Sequence, residues 1–166
     1  MTSFALSQCL IGIAFCFDLA SFQFRNRKHI LLCFIASASL IATHFIFLDR
    51  LTAGLLIYVS VFRFTVSYFT TSAKLMVLCM VLAGIVVLST YAGFISLLAF
   101  MGAVIGTWAS FRPDDRTLRR AMMAGTSLWI VHNILVNSPA AVALETFFLG
   151  SNIFGYYRFY IRNNKE

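Results

Sequence analysis

Two ionisable residues stand inside apolar sequence, where an ion is costly. Asp18 lies about two helical turns before the basic residue Arg25, and Arg63 about three turns before Lys74. A charge at the centre of a bilayer costs roughly 2.5–3.5 kcal/mol on insertion scales, so each needs a partner or water. Their depths match, and an Asp18–Arg63 pair is expected. It would act as a clamp between helices, or as a site that loosens when solute or proton binds. Glu145 with His132 and Asn133 forms a second constellation, and His44 is its counterpart earlier in the chain. Imidazole titrates near neutral pH, and burial changes how tightly a carboxyl holds its proton, so this set could relay protons. The alternative is that both histidines lie at a membrane interface and bond headgroups or helix ends. Asn152 with Ser151 and Gly150, Ser60 with Tyr58, and Trp108 with Thr107 supply the amides, hydroxyls and aromatic platform of a polar-solute pocket. The same small and amide residues could be packing glue between helices.

Other chemistry has no residues to carry it. Cys9, Cys16, Cys33 and Cys79 lie in apolar segments without ligand spacing and read as packing residues. Two histidines and one glutamate fit no compact zinc motif. No nucleophile–base pair and no phosphate-binding glycine loop occurs, so no enzyme activity, cofactor or metal is expected. The run Arg112-Pro113-Asp114-Asp115-Arg116 reads as a solvated turn whose charges balance.

The elements that must position these residues are membrane spans. The chain is 60% apolar with only 11% charged residues, too few for the surface of a soluble domain. Seven spans are expected, at 4–22, 30–48, 51–70, 75–91, 93–111, 121–136 and 140–161. Each is close to the length a bilayer core needs, and the short sixth is expected to tilt little or extend into its loop. Pro139 suits the first turn of the seventh. The cations then sort by side. Arg25, Arg27, Lys28, Lys74, Arg112, Arg116, Arg119, Arg120, Arg158, Arg162 and Lys165 share one face, and Arg50 alone takes the other. That asymmetry predicts an N-terminus outside the cytoplasm and a C-terminus inside. The net charge of +7 is thereby assigned to lipid headgroups and topology, not to nucleic acid.

Shifting the chain by eighty-eight residues brings two stretches together. Ala36–Leu40 meets Ala124–Leu128, His44 meets His132, Asp49 meets Asn137, Ala53 meets Ala141, Leu56 meets Leu144 and Tyr68 meets Tyr156. Upstream, Phe24-Arg25 matches Phe111-Arg112 with a one-residue slip. The expected fold is therefore an all-α integral membrane protein with seven transmembrane helices. Two parallel three-helix repeats, 4–70 and 93–161, are joined by a linker helix, 75–91. In such folds a solute path runs at the repeat interface.

The junction Ser21-Phe22-Gln23-Phe24-Arg25-Asn26-Arg27-Lys28, His44-Phe45, Arg63, the run from Gly106 to Phe111, Ser127-Leu128-Trp129, Asn133, Glu145 and Asn152 resemble the YgjV-type bacterial inner-membrane protein family. The resemblance covers nearly the whole chain and implies a small inner-membrane protein of unestablished function. The three-plus-one-plus-three plan is also distantly similar to the PQ-loop and sugar-efflux superfamily. That superfamily's Pro-Gln hinge is absent here, since Phe22 precedes Gln23 and no proline interrupts a first-repeat helix. The expected function is transport of a small solute, with a proton route through Glu145 or Asp18. The alternative is a non-transporting membrane component that binds a protein or lipid partner. Membrane lipids are the expected surroundings, and oligomeric state is open.

Overall fold

The computed structural model describes residues 3–47, 51–89, 91, 93–135, 137 and 139–162, with the side chains of 3–5, 45, 51–56 and 140 left aside. The expected pairings at Asp49, Ala53 and Leu56, the turn at Arg50, and Lys165 fall outside the described residues or side chains. Among the described residues seven α-helices follow one another: α1 Ser3–Ser21, α2 Arg27–Phe47, α3 Leu51–Phe69, α4 Ala73–Ser89, α5 Phe94–Ser110, α6 Asp115–Leu135 and α7 Pro139–Tyr156. A six-residue π-helical turn, Tyr157–Arg162, follows α7. Among the described residues no helix is long and apolar enough to cross a membrane. Helices α4 and α5 stop at 17 residues each. Helices α2 and α6 open in charged turns, at Arg27 and Lys28 and at 115–120. The helix that holds the expected sixth span, 121–136, begins earlier, at Asp115, in the basic loop.

The chain divides into two units, Met1–Phe69 and Thr70–Glu166. In the first, α2 packs against both α1 and α3; in the second, α6 packs against α5 and α7, and α4 packs against α5. The central helices of the two units have the same register. Helix α6 begins and ends eighty-eight positions after α2, and both are 21 residues long. Over their first twelve residues their burial follows one pattern: positions 30, 31, 33, 34, 37 and 38 are buried in α2, and 118, 119, 121, 122, 125 and 126 in α6. The spacing is that of one helical face turned to a core.

The starts of these two helices are built alike. Asn26 Oδ1 accepts the Lys28 N–H at 2.8 Å, and Asp114 Oδ1 accepts the Thr117 N–H at 2.7 Å. The backbone oxygens of Asn26 and Asp114 each accept the N–H four residues on, at 3.2 Å. Both are side-chain N-caps, which satisfy donors that the first turn leaves open. The slip before them has a structural cause. Phe24 is exposed and is not the partner of buried Phe111. Buried Phe22 is that partner, because Ser21-Phe22 and Ser110-Phe111 both close a helix with the serine hydroxyl donating to the carbonyl three residues back. The first connection therefore carries one extra residue.

The caps differ in their response to pH. Some burial disfavours the Asp114 charge, but the Thr117 N–H and hydroxyl and the Arg112 guanidinium outweigh it and hold this carboxyl below its ordinary 3.8. A depressed folded value means that the cap's contribution is complete above the unfolded value and fades as pH falls through the folded one. Asp114→Ala and Asn26→Ala are each expected to cost about 1 kcal/mol at neutral pH. In acid the Asp114→Ala penalty shrinks and the Asn26→Ala penalty does not, which thermal unfolding at the two pH values would check.

Candidate functional site: polar groups buried at helix crossings

In the first unit the polar interior lies where α1 crosses α2. Asp18 faces Ser37 of α2, whose side chain is only 2% exposed. One turn earlier on the same face is Cys33, close enough to feel the Asp18 charge. Nearer the other end of the crossing, His44 is buried and its Nδ1 lies 2.8 Å from the Ser7 carbonyl oxygen. As the acceptor there is a carbonyl, this nitrogen donates. His44 therefore ties α2 to α1. The α2–α3 seam is mainly aromatic, with Phe34 and Phe64 rings 5.2 Å apart. The Arg63 guanidinium lies over Phe64, 4.4 Å from the ring centre. The described contacts do not bring Asp18 and Arg63 into an ion pair: Asp18 looks to α2 and Arg63 lies against its own helix neighbour. At the lower end, Arg27 donates from its guanidinium to the Ser67 carbonyl, joining the start of α2 to the end of α3.

The second unit places its polar cluster elsewhere. Arg119 is completely buried. Its Nε lies 3.3 Å from Asp115 Oδ2, one turn earlier on α6. The π-helical turn closes over this pair: Tyr160 donates its hydroxyl to Asp115 Oδ1, and Phe159 presents its ring 5.2 Å from the Arg119 guanidinium carbon. Widening the last turn of a helix changes which residues share a face, and here it lets 159 and 160 reach α6 together. Asn152 donates from Nδ2 to the Arg119 carbonyl at 2.8 Å, while its buried Oδ1 has no hydrogen-bond partner among the described residues. Burial pushes the Arg119 guanidinium below its ordinary value, and the Asp115 carboxylate opposes that.

The remaining expected residues scatter over the second unit. Trp108 is exposed on α5 and carries Arg112 over its ring at 4.4 Å. His132 Nδ1 lies 3.3 Å from Asn133 Oδ1, and its ring meets Trp129 edge-on at 5.2 Å. Glu145 is half-buried on α7, more than a turn beyond Pro139. Asn152 sits in the Arg119 cluster, not with His132 and Asn133. Arg119 is the residue that the sequence reading missed. The sequence groups it with the cations of the basic face, although Asp115 four residues before it on a helix is the spacing of an ion pair. The turn 112–116 is correspondingly not all solvated, since Asp115 belongs to the buried cluster.

No group of three or more histidine, cysteine or acidic side chains able to hold a metal occurs among the described residues. What the two crossings offer is a carboxyl beside a hydroxyl in one unit, and an arginine–aspartate pair with an open amide oxygen in the other. Such groups inside all-helical units belong to proteins whose helices are held together by small and polar side chains. A family model described as bacterial inner membrane protein matches residues 5–163, so this chain is an inner-membrane protein of bacteria. It belongs to the Imp-YgjV family. The chain is 28% identical over 161 residues to the inner membrane protein YgjV of Escherichia coli (strain K12), across 95% of this chain and 88% of that protein. No solved structure matches.

Proposed function

We propose that the chain is a multi-pass transporter of a small polar solute, with its N-terminus outside and its C-terminus in the cytoplasm. The observation that carries this reading is the repeated frame of α1–α3 and α5–α7. The central helices share register, burial pattern and Asx caps at an offset of eighty-eight residues, which supports an internal duplication. Three helices, one connecting helix and three more give two halves of like orientation, the parallel-repeat plan known from transporters. The membrane part of the reading rests on the family and on where the apolar side chains point. Val77, Leu78, Val81, Ile85 and Leu88 are exposed on α4, as are Phe147 and Phe154 on α7, while Arg119 and Asn152 are buried. Soluble proteins seldom expose contiguous apolar surface of that kind. Glu145, Asn152, Trp108, His132 and Asn133 are the residues proposed to meet the solute or its proton.

Reporter tags at the two chain ends are expected to read opposite compartments. Finding both ends in one compartment would end the like-oriented plan. Metabolite profiling of cells lacking and overproducing the protein then identifies the solute, and uptake into proteoliposomes measures its flux. Glu145→Gln is expected to lower that flux about tenfold, the equivalent of ~1.4 kcal/mol. A chain that moves no identified solute would instead be a membrane component binding a lipid or protein partner.

A further inference from the structure

The two units share the position of their central helix yet differ in what occupies it. Position 37 of α2 corresponds to position 125 of α6. In the second unit that residue is Gly125, and a Cβ built there would lie 3.6 Å from the Gly102 carbonyl and 3.7 Å from the Gly106 nitrogen of α5. This crossing is closed by backbone against backbone. In the first unit the residue is Ser37, and the group facing it from α1 is the Asp18 carboxyl. Ser37 Oγ is buried and makes no hydrogen bond of good geometry among the described residues, although the carboxyl is its neighbour. In the α5–α6 crossing of this frame the place of Asp18 is taken by the buried but uncharged Thr107. A carboxyl is therefore particular to the first unit's crossing.

A half-buried carboxyl beside a buried hydroxyl without a partner can take a small cation. A sodium or other metal ion needs a shell of several oxygen ligands, and this crossing presents the carboxyl and one hydroxyl. A proton needs only the carboxyl. From α2 the groups facing Asp18 are Ser37 and Cys33, and of these two Cys33 is the titratable one. Ionisable residues kept inside membrane helices commonly mark proton pathways.

We propose that Asp18 is a proton-binding site, with Ser37 as the hydrogen-bonding neighbour that positions its carboxyl. The proton binds to a carboxylate oxygen and leaves from it, with no other bond made or broken. Its role as a coupling proton rests on the transporter reading above, whereas the binding itself does not.

The test is infrared spectroscopy of the purified full-length protein in liposomes, recorded in light and heavy water across a pH titration. A carboxylic-acid C=O band that titrates and shifts in heavy water is expected in the wild type. It should vanish in Asp18→Asn, persist in Glu145→Gln, and change frequency in Ser37→Gly, which copies the residue at the second unit's crossing. A wild type without an Asp18-dependent band at any pH overturns the proposal, as does a band that is unmoved in Ser37→Gly for the part given to Ser37. Helical content by circular dichroism confirms that each variant is folded. If the band behaves as expected while no solute flux is found, the proton site stands and the transporter reading fails alone.

Discussion

Arg119→Ala is expected to destabilise the second unit by about 3 kcal/mol, because it removes one member of a buried ion pair and strands the other. Arg119 is fully buried, and Asp115 holds both its Nε and the Tyr160 hydroxyl. Without the guanidinium, Asp115 keeps one neutral donor and the start of the helix, and the space against Phe159 is left open. The first unit indicates the compensating change. Its residue at the corresponding position is Leu31, also completely buried, so the frame accepts an apolar side chain there. Arg119→Leu should therefore cost less than Arg119→Ala, and Asp115→Asn combined with Arg119→Leu should recover stability relative to the summed single changes by about 1–3 kcal/mol. Chemical unfolding of the four variants in one detergent measures this. Hydrogen exchange should place the loss in the first turn of α6 and in the π-helical turn Tyr157–Arg162. A wild-type-like Arg119→Ala would show that the pair contributes nothing to the fold.

Gly125→Leu is the second large effect, with a cost of about 1–3 kcal/mol or more from overpacking. Gly102 and Gly106 lie one turn apart on α5, in the small-residue spacing that lets two helix backbones approach closely. A Cβ at Gly125 would meet Ile105 Cγ2 at 3.4 Å and the α5 backbone slightly farther away, which is ordinary contact or close to it. Gly125→Ala is accordingly expected to be mild, and the longer side chain must wedge α5 from α6. Gly102 is stricter. A Cβ there would come 2.8 Å from Trp129 Nε1 and 3.1 Å from its Cδ1, so the indole has to move. Gly102→Ala should be destabilising alone and rescued by Trp129→Leu, and thermal unfolding of the single and double variants tests that order. Equal stability of Gly125→Leu and Gly125→Ala would contradict the close crossing.

Much of this fold could be read before any coordinates. The apolar runs correspond to seven helices, with α7 starting at Pro139 as its place in the sequence predicts. The offset of eighty-eight residues between His44 and His132 is also the offset between α2 and α6. The candidate sites were less legible. Asp18 was paired with Arg63 by depth alone, and depth does not say which way a side chain leaves its helix. The structure turns Asp18 to Ser37 on α2, a residue that carries no charge and so drew no notice. The Phe-Arg junction was aligned by residue type, whereas burial selects Phe22 and Phe111. Asn152 stands out in the sequence as polar in an apolar helix, and its partner is a backbone carbonyl, which every residue possesses.

Helix number and helix ends are properties of the sequence, because apolar runs, prolines and Asx caps act over one or two turns. The burial of Arg119, the α1 partner of Ser37 and the glycine contact between α5 and α6 were decided only in three dimensions. They depend on how closely two helices approach and on which faces they turn inward, and no spacing within one helix contains that distance.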